Sequence, residues 1–172
     1  MTHKALATAS AAIALACLAP VADAAGHPAD HSFLVGSAHN NLAEIAGAKL
    51  ALAKSHDPAV RDYARQMLAD HTRAQAKLKA AAKASHTTLP TEPSAAQRRE
   101  AEQLKALPEG RFNRRYFGRQ IVGHRKAMGA ILLELHMGAV DPALNYARWI
   151  EPVAESHMTM ARKDLARMER SG

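Results

Sequence analysis

Four titratable residues fall where helical periodicity predicts a buried position. Glu44, His71, His124 and His157 each lie in a run of small and apolar residues that recur three and four positions apart. That spacing is typical of the inward face of an amphipathic helix. Each residue lies near the middle of its predicted helix, and mid-helix residues share one level in a four-helix bundle whichever way the helices run. The four side chains are therefore expected to converge.

A carboxylate and three imidazoles in one buried layer need partners, because an unpaired buried charge is strongly unfavourable. One interpretation is a single metal ion, since this four-coordinate ligand set suits Zn, Fe, Mn or Cu. A second is a polar core network in which Glu44 accepts hydrogen bonds from the histidines. A third is that the predicted faces are shifted by one step and the side chains do not meet. Asp70 could orient a ligand only from outside the core, and it carries little weight.

Other candidate ligands lie near these positions. Three methionines lie within one turn of the three histidines: Met67, Met128 and Met160. Thioethers beside imidazoles would favour Cu(I), but methionine at helical spacing is typical core filler. Three further histidines lie near the amino end: His27, His31 and His39. They could bind a metal adventitiously, and we interpret them as a solvated tail and first turn.

Prolines and capping residues divide the chain into helices that would carry these positions. The pattern predicts long helices over residues 32–55, 58–85, 112–137 and 142–170, and a short crossover helix over residues 94–107. Asp57 is expected to cap the second helix, and Ser94 with Gln97 to form a capping box on the crossover helix. Pro152 lies inside the last helix and is expected to kink it.

These elements predict an all-α fold, a ferritin-like four-helix bundle with a short crossover helix between helices two and three. A faint repeat between residues 57–71 and 141–157 agrees with two helical hairpins joined by that crossover. An up-down-up-down bundle is the alternative.

The amino terminus has the features of an export signal. Lys4 precedes an apolar run that is too short to span a bilayer comfortably, and Ala22 and Ala24 offer the small residues that signal peptidase requires. We predict a signal peptide over residues 1–24, a helical-bundle domain over residues 25–172 and a periplasmic location. Cleavage would remove Cys17, the single cysteine, whose neighbours fit a lipid-attachment site poorly.

Composition narrows the possible functions. The formal net charge is +7, but the basic residues are spread over every segment and aromatic residues are few, which argues against nucleic-acid binding. Beyond the signal peptide no apolar run is long enough to span a membrane. The basic surface could attract an acidic envelope surface or a protein partner. Nucleophilic catalysis has no candidate residue in the mature chain.

The chain resembles the bacterial domain-of-unknown-function family 4142 over roughly residues 30–165. The matching segments are Asn41-Leu42-Ala43-Glu44, Tyr63-Ala64 through Met67 to Asp70-His71-Thr72, Leu89-Pro90, Gly110-Arg111-Phe112, His124, and Pro152 with His157. Members of the family are mostly exported and are assigned to the ferritin-like superfamily, so the resemblance implies a fold more than an activity. One departure is Asn113, where the family usually has Asp, and we attribute it to helix capping.

Ferritin-like di-iron enzymes carry a Glu-x-x-His motif on two of their helices. Leu68 and Ala154 precede His71 and His157 by three residues, so that motif is missing. Di-iron chemistry of that type is not expected, and a mononuclear site stays open. Two classes of function follow. One is a metal-binding envelope protein with a role in envelope or stress physiology. The other is a non-catalytic structural or interaction module whose polar layer sets helix register.

Overall fold

The computed structural model describes residues 27–170, so the predicted signal peptide and Cys17 lie outside the described residues. The described chain forms five helices and no strand, which confirms the all-α prediction. The helices are α1 (Pro28–Lys54), α2 (Pro58–Ala84), α3 (Ala95–Lys105), α4 (Glu109–Met137) and α5 (Asp141–Arg170).

Two helices begin earlier than predicted, and in both cases a proline marks the boundary. Pro28 occupies the first turn of α1, where its fixed φ angle suits helix initiation. Pro108 is the N-cap of α4, and Glu109 in its first turn accepts a hydrogen bond from the backbone amide of His56. Asn113 therefore lies in the second turn of α4, where it is buried. The expectation that Asn113 acts in capping was wrong.

The predicted caps are present. Asp57 accepts hydrogen bonds from the amides of Ala59 and Val60 at the start of α2. Ser94 and Gln97 bond reciprocally as a capping box on α3. α5 continues without interruption through Pro152.

The direction of the helices follows from contacts at their ends. His56, just after α1, contacts Glu109 at the start of α4. Asp30, at the start of α1, accepts hydrogen bonds from the amides of Ala139 and Val140, just after α4. α1 and α4 are thus antiparallel, α2 and α4 run in the same direction, and the segment containing α3 crosses the length of the bundle. The up-down-up-down alternative was wrong.

The interior has two apolar halves. One contains Leu34, Leu78 and Tyr146, and the other contains Val60 and Phe117. Between them lies a layer of buried polar side chains contributed by all four long helices: Asn41, His71, Gln120, His124 and His157. Among the described helices, none is long and apolar enough to cross a membrane.

Candidate metal centre

Three of the four predicted site residues meet in this polar layer. His71 of α2, His124 of α4 and His157 of α5 are 7%, 3% and 1% exposed. One nitrogen from each ring belongs to a group of three nitrogens that all lie within 4.8 Å of one another. The helical spacing that suggested convergence is therefore matched by the geometry for the histidines.

The tautomer of His124 is set by its own helix. Its Nδ1 lies 2.9 Å from the backbone carbonyl oxygen of Gln120, one turn earlier. A carbonyl oxygen only accepts hydrogen bonds, so Nδ1 carries the proton and donates it. The lone pair of His124 is consequently on Nε2, which faces the ring of His157.

His157 is oriented by a carboxylate from α2. Its Nε2 lies 3.0 Å from Oδ2 of Asp70, which also pairs with Arg73. Burial opposes ionisation of Asp70, but hydrogen bonds from His157 and Arg73 outweigh it and lower the pKa of this carboxyl. The Asp70 carboxylate thus accepts the Nε2 proton, and the lone pair of His157 is on Nδ1. Sequence reasoning gave Asp70 too little weight, because it considered the side chain beside His71 and not its reach to α5.

His71 is oriented by an amide from α1. Its Nδ1 donates to Oδ1 of Asn41 at 2.9 Å, and the Asn41 amide nitrogen donates to the hydroxyl of Tyr146. Nε2 of His71 is buried and has no hydrogen-bond partner among the described residues. A buried polar atom without a partner is rare in a folded protein and calls for an explanation.

The three rings therefore present lone pairs to one another. His124 Nε2 and His157 Nδ1 are 3.3 Å apart, and neither holds a proton to share in the tautomers described above. Two nitrogens bound to one tetrahedral Zn²⁺ at normal bond lengths would be about 3.3 Å apart. Burial, with the neighbouring imidazoles, lowers the pKa of His71 and also that of His157, although Asp70 partly offsets the shift at His157. The uncharged form that binds metals is thus favoured.

Glu44 lies beside this group and not within it. Its side chain is only partly buried, and Oε2 accepts a hydrogen bond of 2.8 Å from Nε2 of Gln120. No histidine donates to Glu44 among the described residues, so the polar network in which it accepts from the histidines is not the one formed. The structure brings together three of the four predicted ligands, and the fourth is held nearby by Gln120.

The additional candidate ligands are placed elsewhere. Met67 is fully buried in the apolar core, and Met128 and Met160 pack against its two halves, as expected of core filler. His39 bonds to the backbone of Glu92.

The family model for the domain of unknown function DUF4142 matches residues 15–163. The chain belongs to this family. A comparison with curated proteins gives no match. The DUF4142 chain is similar in structure to a crystal structure of a DUF305 fragment from Deinococcus radiodurans, with a TM-score of 0.73 and 18% sequence identity. The alignment covers 83% of this chain and 98% of the fragment, and at that identity the likeness concerns the fold alone.

The residues that orient the histidines of this DUF4142 protein were missed or given little weight by sequence reasoning. Asn41 was named only within a segment that matches the family, and Gln120 was not singled out. The sequence offers a partial indication, because Asn41 and Gln120 both have amide side chains and each lies within one helical turn of a candidate site residue. What the sequence does not reveal is the pairing of residues 30 to 87 positions apart on different helices.

Proposed function

We propose that this DUF4142 protein is exported to the periplasm and binds one transition-metal ion there through His71, His124 and His157. The observation that carries the proposal is the hydrogen bonding of the outer ring nitrogens. Each ring donates its single proton outward to an acceptor on another residue, and the remaining nitrogens turn inward. Histidine ligands of metal ions are held in this way in proteins generally. A role in envelope or stress physiology would follow from metal binding in that compartment.

Imidazole donors without a thiolate suit Zn, Cu and Fe, and Mn less well. The 3.3 Å separation of His124 Nε2 and His157 Nδ1 agrees with a tetrahedral ion such as Zn²⁺ or Cu(I).

The test is metal content together with thermal stability. The mature chain, residues 25–172, is purified, dialysed and loaded separately with Zn, Cu, Mn and Fe. We expect one equivalent of one metal by mass spectrometry and a rise in the melting temperature, since binding at 100 times Kd contributes about 2.7 kcal/mol.

Substitutions at the site should remove both signals. His71→Asn and His124→Asn should lose the bound metal and its thermal effect while keeping their helical circular dichroism. His136→Asn is the matched control, because His136 is exposed near the end of α4 and should behave as the unsubstituted protein does. A dialysed protein that holds no metal and gains no stability from any of the four would contradict the proposal.

A further inference from the structure

The three histidines and Glu44 line one cavity of about 1390 Å³. The cavity lies between α1 and α4, and residues of α3 form its outer wall. Small residues face it from both helices at the level of the site: Ala43, Gly47, Gly123 and Ala127. An ion bound by the histidines would thus have open space on one side, whereas a closed structural site is surrounded by four protein ligands.

The carboxylate of Glu44 is oriented toward this cavity by two neutral side chains. Nε2 of Gln120 donates to Oε2 of Glu44, and Oε1 of Gln120 lies 3.2 Å from the hydroxyl of Tyr63, which is also within reach of the backbone oxygen of His157. A primary amide donates only through its nitrogen, so the orientation of Gln120 is determined by these two contacts. Glu44 is therefore held in place at one oxygen.

The second oxygen of Glu44 is free to accept. No described residue donates a hydrogen bond to Oε1. Gly123 lies beside it, and even a Cβ at that position would be 3.6 Å from Oε1, so the approach is not crowded. Since a carboxylate has about four acceptor positions and Gln120 uses one, a hydrogen-bond donor in the cavity can be accommodated.

Resting on the proposed function, we propose that the ion bound by His71, His124 and His157 keeps one coordination position open toward the cavity, and that Glu44 selects a small protic ligand for it. Water fills the position in the resting protein, with its oxygen on the metal and one hydrogen bonded to Oε1 of Glu44. The negative charge of Glu44 disfavours anions at the same position. The centre accordingly exchanges a small neutral oxygen donor, as sites with three protein ligands do.

The test uses the mature protein loaded with Co²⁺, whose visible absorption reports its ligands, and azide as the probe. Azide should change the spectrum of the unsubstituted protein with a measurable Kd. In Glu44→Gln the nearby charge is absent, and azide should bind at least about threefold more tightly. Glu155→Gln, which removes an exposed carboxylate from α5, is the control and should leave the azide Kd unchanged.

The outcomes separate the two proposals. Failure to bind Co²⁺ or any other metal overturns metal binding and this inference with it. A bound Co²⁺ whose spectrum ignores azide in both proteins leaves metal binding intact and overturns the open position. Equal azide affinity in the unsubstituted protein and Glu44→Gln overturns the role of Glu44.

Discussion

Each imidazole of the site is held at its outer nitrogen by a different kind of acceptor. Asn41 offers a side-chain amide, Gln120 a backbone carbonyl and Asp70 a carboxylate. The carboxylate is the strongest of the three, since a charged acceptor roughly doubles the strength of a hydrogen bond. It also raises the basicity of the ring that it holds.

Replacing Asp70 should therefore weaken metal binding without unfolding the chain. Asp70→Asn keeps a side chain of the same shape but loses the charge on which the His157 hydrogen bond depends. We expect metal affinity to fall by about 10- to 100-fold, measured by competition with a chelator of known affinity. Asp62→Asn is the matched control, because Asp62 also pairs with an arginine three residues later on α2 but is exposed. An unchanged affinity in Asp70→Asn would remove Asp70 from the site.

Periodicity predicted the three histidines because steps of three and four residues define the buried face of a helix. It does not define how far a side chain reaches from that face. Glu44 lies on the predicted inward face of α1, yet its side chain ends at the edge of the polar layer, where Gln120 donates a hydrogen bond to it. Asp70 occupies an outer position on α2 and still reaches His157. At this scale, periodicity predicted the convergence of the three histidines and did not predict the residues that orient them.

Where the helices pack against one another, two buried carboxyl groups lie between the start of α1 and the end of α4. Asp30 and Glu134 are each 1% exposed. Asp30 accepts hydrogen bonds from the amides of Val140 and Ala139, and these bonds, with the contact to Glu134, outweigh burial and lower the pKa of Asp30. Burial and the adjacent Asp30 raise the pKa of Glu134 to about 7. Glu134 therefore stays protonated to a higher pH than an ordinary glutamate, beside the carboxylate of Asp30.

This pair predicts a pH-dependent stability. The pKa of Glu134 in the folded chain is above its unfolded value, so its favourable contribution is complete below about pH 4.5 and is lost as pH rises through about 7. Glu134→Gln keeps a neutral side chain of similar size beside Asp30 and cannot ionise. Relative to the unsubstituted protein, it should gain on the order of 2 kcal/mol at pH 8 and nothing at pH 4.5.

The measurement is urea unfolding of both proteins across that range. Taking the difference between the two proteins cancels the contribution of every group that they share, including His71 and His157. Glu151→Gln, at a partly exposed carboxylate on α5, is the control and should show no such trend. A difference that does not change with pH would contradict the raised pKa of Glu134.

The helices themselves were largely predictable, because caps and prolines act locally. Asp57 and the Ser94–Gln97 pair bond within three residues, and the sequence shows such pairs directly. The early starts of α1 and α4 were missed, although a proline marks both. The sequence did not predict the contact between Asp30 and Glu134. These residues are 104 positions apart, and they meet only because α1 and α4 are antiparallel.

At the scale of the whole molecule, the polar layer divides the core into two apolar halves. The nitrogens of this layer contribute no hydrophobic stabilisation. An ion bound by the three histidines would link α2, α4 and α5 directly, and α1 through the hydrogen bond of Asn41 to His71. The division of the core would therefore concentrate the effect of a bound ion on the middle of the bundle.

The proposed export also concerns the whole chain, and it gives a separate prediction. The described helices begin at Pro28, so removal of residues 1–24 should leave the bundle complete. When the full chain is expressed in a bacterial host, the mass of the periplasmic product should match a chain that begins at Ala25. Ala22→Arg with Ala24→Arg should block processing, because signal peptidase requires small residues at these positions. An unprocessed cytoplasmic product from the unsubstituted gene would contradict the prediction.

The outward hydrogen bonds of the three rings also govern how the centre exchanges protons with its surroundings. Each neutral imidazole has one proton, and that proton is already bound to Asn41, Gln120 or Asp70. Because His71 and His157 have lowered pKa values, no additional proton occupies their inner nitrogens at neutral pH. On the proposed function, His71 and His157 would therefore bind an ion at neutral pH without first releasing a proton to the solvent.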